Sequence, residues 1–107
     1  MATKTSIFHQ LASFAIFELL DKEYLLNPLD WDVKAQKYTL RIRGIDQKPM
    51  VAVGLITFSA RNNKIVVYDA VTGEKDEFEG VDRSNKDSFL AFICAWAQKL
   101  RDTSAYR

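Results

Sequence analysis

The side chains that most often carry covalent or metal chemistry are scarce in this chain, which has one cysteine, Cys94, and one histidine, His9. A structural zinc site needs about four Cys or His ligands, so one copy cannot build it. Cys94 follows Ile93 in an apolar stretch, where cysteine usually packs as a small hydrophobic residue. His9 is expected to be a surface or packing residue. We predict no metal site, no cofactor and no catalytic residue.

Two carboxylate pairs have the spacing that acid–base chemistry uses. Asp30 with Asp32, and Glu77 with Glu79, stand two residues apart, so each pair shares one face of a predicted strand. We favour a protective role, because charges on edge strands prevent pairing with other sheets. The four glycines form no phosphate-binding loop. Gly54 indicates close packing of a helix or, alternatively, a small ligand cavity that an enzyme would use.

Charge is unevenly distributed along the chain, although the net charge is only +1. Residues 33–64 hold seven Lys and Arg against one Asp, whereas residues 65–87 hold three against seven Asp and Glu. Alternation with apolar residues places a basic row on one face of a strand. Such a row binds phosphates, docks on another protein or is simply solvated. The candidate anion or nucleic-acid site consists of Lys37, Arg41, Arg43, Arg61 and Lys64.

The most apolar element comes first in the chain, where ten of the fourteen residues from Ile7 to Leu20 are apolar. This is shorter than the stretch of about 20 apolar residues that spans a bilayer. The charged residues that follow do not form a signal-peptide cleavage site. We predict a folded helix, no membrane segment and, with a single unpaired thiol, a cytoplasmic location.

This first helix is predicted to begin at a Thr5 or Ser6 cap and to end near Leu26, before Asn27–Pro28. Its polar strip is narrow. Either a curved sheet surrounds the helix, or some of its phenylalanines contact a partner.

The rest of the chain has the period of strands, followed by a second helix. Short turns between the apolar runs favour an antiparallel meander. A helix is predicted from about Asn85 to Arg101, capped by Ser84 or Asp82. The fold class is α+β in one domain over residues 1–107, with both helices on one face of four or five strands. The predicted strands are residues 29–34, 38–42, 50–58, 64–71 and 76–81.

These patterns predict a small non-enzymatic interaction module or an accessory, regulatory subunit. Its partner is another protein or itself, as a homodimer, and contact is made through the first helix and the continuously apolar third strand, Met50 to Phe58. The opposing interpretation is that the helices and the sheet bury these residues against each other. The alternative function is a nucleic-acid-binding regulator that uses the basic row. The predicted partner-binding residues are Phe8, Phe14, Phe17, Val51, Val53 and Leu55.

Overall fold

The computed structural model of this protein describes residues 4–43, 52–79 and 83–102. Along the chain, one helix precedes six strands and a second helix follows them. A short 3-10 helix, Arg83–Asn85, leads into the second helix. The elements are α1 (Lys4–Asp21), β1 (Leu25–Leu26), β2 (Asp30–Asp32), β3 (Lys37–Arg43), β4 (Ala52–Ser59), β5 (Lys64–Asp69), β6 (Lys75–Glu79) and α2 (Lys86–Arg101).

All six strands join one antiparallel sheet in the order β1-β3-β4-β5-β6. The sixth strand, β2, pairs with β3 along the same edge as β1, nearer the start of β3. This divided edge explains why the sheet has six strands and not four or five. The α+β class and the antiparallel meander between two helices are confirmed. Met50, Val51, Gly80 and Val81, which the predicted strands included, lie outside the described residues.

Both helices pack on the same face of the sheet. Tyr38 of β3 pairs in register with Phe58 of β4, and both side chains are buried. His9 of α1 stacks on Tyr38 with 5.5 Å between ring centroids, while Phe89 of α2 meets Phe58 edge-on at 5.9 Å. The predicted placement of both helices on one sheet face is therefore confirmed, and the second face of the described sheet carries no helix.

The first helix is shorter than predicted, because the backbone turns before Leu26. The amide of Tyr24 donates to the carbonyl of Leu19, and the amide of Glu23 donates to that of Leu20, both at 3.0 Å. Glu23 has a φ of 67°. These bonds form the Schellman ending of a helix, in which glycine usually occupies the left-handed position. Leu26 belongs to β1 and pairs with Ile42.

Gly54 allows the closest approach between α2 and the sheet. Arg43 pairs with Ala52 and Ile42 with Gly54, so Val53 is the extra residue of a β-bulge. A Cβ atom at Gly54 would lie 2.7 Å from Leu100 Cδ2 and 2.8 Å from the Trp96 ring. Close helix packing is confirmed as the role of this glycine. The alternative of a ligand cavity over Gly54 is wrong, because side chains fill that space.

Candidate protein-interaction surface

The side of α1 that faces away from the sheet is unusually apolar. The helix buries Phe8, Leu11, Ala12, Ala15 and Leu19, which lie on one side of its axis. On the opposite side Phe17 is 72% exposed, Leu20 51% and Phe14 36%. We call this surface the α1 outer face, formed by Gln10, Phe14, Phe17, Leu20 and Asp21.

A groove adjoins the α1 outer face where the first turns of α1 and α2 meet. Its volume is about 250 Å³. The ammonium group of Lys86 lies 4.3 Å from the centroid of the Phe14 ring, a cation–π distance. The groove is therefore apolar along its walls and positively charged at one rim. We call it the α1–α2 groove, and it is lined by Ile7, Gln10, Leu11, Phe14 and Lys86.

The predicted partner-binding residues lie in different parts of the fold. Phe8 and Val53 are each 1% exposed and belong to the core, because Phe8 faces the sheet and the bulge turns Val53 towards the helices. Leu55 is half-buried on the helix-free face of the sheet, and Val51 lies outside the described residues. Only Phe14 and Phe17 come together on one exposed surface.

Leu20 completes the α1 outer face, although it was not among the predicted partner-binding residues. Its position on the helix does continue the apolar surface of Phe17, since residues three apart are neighbours. This spacing is the signal that could have identified it.

Three of the predicted cations lie along β3 on the helix-free face, namely Lys37, Arg41 and Arg43. Lys64 shares that face, because Lys37 and Lys64 both pair with Ser59. Arg61 lies in the turn between β4 and β5, where its guanidinium donates a 2.7 Å hydrogen bond to the Lys34 carbonyl. The structure thus brings four of the five cations onto one face and leaves Arg61 beside it.

The predicted carboxylate pairs flank this basic row and neutralise part of it. Asp30 lies 3.4 Å from Arg41, and Glu77 lies 3.1 Å from Lys64. Both acids sit on the outermost strands, β2 and β6, as an edge-protecting role requires. Among the described residues, no group of three His, Cys, Asp or Glu side chains is arranged to hold a metal ion.

A larger depression of about 480 Å³ lies between the β5–β6 turn and the last turns of α2. Asp69 Oδ1 accepts hydrogen bonds from the amides of Val71 and Thr72 at 2.9 and 3.1 Å, which occupy that oxygen. Charges of both signs surround the space, so it has no clear preference for an anion or a cation. Its lining residues are Asp69, Thr72, Glu74, Lys75, Asp76, Trp96, Lys99 and Leu100.

Cys94 and His9 do not form a nucleophilic pair, because they lie on opposite sides of α1. His9 stacks on Tyr38, which in turn stacks on Trp31 at 4.2 Å. Cys94 is half-buried at the seam between α2 and α1. Burial raises the pKa of its thiol, while Lys22 lowers that pKa and Glu18 raises it further. A raised pKa disfavours the reactive thiolate.

Neither helix in the described part of the chain has the length and apolar character needed to cross a membrane. No family model, curated protein or solved structure matches this chain.

Proposed function

We propose that this protein is a non-enzymatic interaction module that associates with a second copy of itself through the α1 outer face. The observation that carries the proposal is the 72% exposure of Phe17, with Phe14 and Leu20 beside it. Removing one such side chain from water stabilises a complex by about 1.5–3 kcal/mol before the costs of association are subtracted. Exposed apolar clusters of this kind on a polar background are typical of interaction sites.

A symmetric dimer would cover the continuous apolar face of α1 on both copies at once. Twofold symmetry lets the same face serve both copies, and cyclic dimers are the commonest protein oligomers. Every contact away from the symmetry axis then occurs twice, so a small patch on each copy forms two sets of contacts.

The experiment compares Phe17→Ser with Val33→Ser by sedimentation velocity over a range of concentrations. Val33 is 70% exposed and lies after β2, away from α1, so it is a matched control for the loss of an exposed apolar side chain. We expect wild type and Val33→Ser to change from monomer to dimer as concentration rises. Phe17→Ser should stay monomeric, and its melting temperature should match that of wild type at concentrations where both are monomeric. A monomeric wild type, or a Phe17→Ser variant that still dimerises, would contradict the proposal.

The second candidate function is binding of a nucleic acid on the helix-free face. Lys37 and Arg43 make no ion pair within the described residues, and Tyr68 on the same face is half-buried and offers a ring for stacking. The ion pairs of Arg41 and Lys64 reduce the charge that this face offers. Binding of a labelled single-stranded oligonucleotide that is lost in Arg43→Glu and weakens steeply with salt would support this function; salt-independent binding would count against it.

A further inference from the structure

The α1 outer face carries a projecting aromatic ring and adjoins a groove that would receive one. We infer that in the dimer Phe17 of each copy occupies the α1–α2 groove of the other, with the two α1 helices antiparallel and Asp21 of each copy facing Lys86 of the other. This inference rests on the proposed function, since it specifies how the two copies meet.

The spacing along α1 makes this arrangement self-complementary. Phe17 lies seven residues after Gln10 of the groove, which is about 10.5 Å along a helix. A twofold axis that crosses the outer face between Ser13 and Phe14 brings Phe17 of one copy opposite Gln10 of the other. Each copy therefore supplies one projecting ring and one groove.

The chemistry of the groove suits an aromatic ring. Phe14 presents a ring for offset or edge-on packing, which stabilises aromatic pairs beyond simple burial. Ile7 and Leu11 provide aliphatic walls, and the ammonium of Lys86 already lies over an aromatic face. The Phe17 ring would enter these surroundings without burying any polar atom of its own.

Charge favours the antiparallel orientation. Asp21 is exposed and Lys86 is half-buried, and neither forms an ion pair with another described residue. With the axis between Ser13 and Phe14, Asp21 comes opposite the first turn of the other α1, whose Ile7 lines the same groove as Lys86. In a parallel pairing the two Asp21 carboxylates would instead approach each other, which is unfavourable.

The size of the surface predicts a weak dimer. The 18 residues of α1 extend about 27 Å. One helix of this length buries less than the roughly 800 Å² per partner of a standard interface. We therefore expect micromolar dissociation, and the experiments need concentrations that reach well above it.

Disulfide trapping tests the register directly. All variants carry Cys94→Ala, so that the introduced thiol is the only one in each chain. A chain with Phe17→Cys is mixed with a chain with Gln10→Cys under mild oxidation, and Val33→Cys replaces Phe17→Cys as the exposed control. The mixed dimer keeps one native Phe17 contact, because only one of its two grooves is altered. We expect the Phe17→Cys and Gln10→Cys chains to cross-link to each other faster than either chain cross-links to itself or to Val33→Cys.

The outcomes separate this inference from the proposed function. Dominant cross-linking of Phe17→Cys with itself would place the axis at Phe17 and overturn the inference while the dimer stands. A wild type that dimerises without any mixed cross-link would overturn it as well. A wild type that stays monomeric would remove the proposed function and this inference together.

Charge exchange provides an independent measurement. Asp21→Lys and Lys86→Asp should each weaken the dimer about two- to thirty-fold, as expected for the loss of two symmetry-related surface ion pairs. The double variant restores opposite charges at both contacts and should recover the wild-type dissociation constant. If the two single effects simply add in the double variant, the proposed pairing of Asp21 with Lys86 is overturned.

Discussion

The two helices pack on the same face of one sheet, yet their solvent-facing sides differ. Exposed positions of α2 are short or polar, namely Asp87, Ser88, Ala91, Ala95, Gln98 and Lys99. The corresponding side of α1 carries Phe14, Phe17 and Leu20. Because α2 shows that the sheet can be covered by a helix with a polar outer side, the apolar outer side of α1 is not required by the fold. The difference supports an additional role for α1.

The largest expected effect on the free energy of unfolding comes from replacing a buried phenylalanine with alanine, compared with the same replacement at an exposed phenylalanine. Phe89 of α2 is fully buried and meets both Phe58 and Phe78 edge-on. Phe89→Ala should lower the free energy of unfolding by about 3–5 kcal/mol, whereas Phe17→Ala should change it by less than about 0.5 kcal/mol. Urea denaturation at a concentration where the protein is monomeric measures both. Similar losses for the two variants would mean that Phe17 supports the core after all.

A smaller effect is expected where α2 approaches the sheet. The Cβ atom of Gly54→Ala would press against Leu100 and Trp96, and such overpacking costs about 1–3 kcal/mol. Shortening the neighbour in Leu100→Ala makes room for this methyl group, so the double variant should lose less stability than the two single losses combined. Strictly additive losses, measured by the same urea method, would show that Gly54 does not set the packing distance of α2.

Gly73 is the matched control for Gly54. It has a φ of 82° and no atom within 4 Å of an added Cβ. Gly73→Asn should therefore be nearly neutral, since asparagine tolerates this backbone conformation and nothing opposes its side chain.

The smallest effect concerns Cys94, at the seam between the two helices. Because burial raises the pKa of its thiol, the folded chain should react with iodoacetamide more slowly than the urea-unfolded chain at the same mildly alkaline pH. The folded state holds this proton more tightly, so the small contribution to stability is complete below the unfolded pKa and declines as pH rises towards the folded pKa. Lys22→Gln should slow the reaction further, since Lys22 lowers that pKa. Equal rates in the folded and unfolded chains would contradict the burial of the thiol.

The sequence was most informative where the polar and apolar positions of an element were well separated. The predicted ends of α2 are right to within one residue, and its apolar stripe is buried, although its N-cap residue is Asn85, without a side-chain cap hydrogen bond, and not the predicted Ser84 or Asp82. The turn at Asn62–Asn63 was also predictable, because asparagine tolerates the left-handed backbone conformation that Asn63 adopts, with a φ of 53°. In both cases the residue pattern within the segment agrees with the conformation that the fold requires.

Prediction was weakest where distant contacts decide the outcome. The end of α1 was missed because Glu23, and not glycine, takes the left-handed position, with Leu19 and Tyr24 buried around it. Because apolar residues occur on nearly every side of α1, their spacing did not reveal that Phe8 faces inwards and Phe17 outwards. The partial neutralisation of the basic row by Asp30 and Glu77 depends on strand register, which spacing within one strand does not determine.

The order of the elements has a consequence during synthesis. In chain order α1 precedes the strands and the helix that cover its inner side, and 38 residues separate its last residue from the last residue of β4. At the usual elongation rate the ribosome needs about 2–8 seconds to add that segment. Until then Phe8, Leu11 and Leu19 lack the sheet that buries them, so the growing chain exposes more apolar surface than the finished fold, in which Phe14, Phe17 and Leu20 stay exposed on this helix.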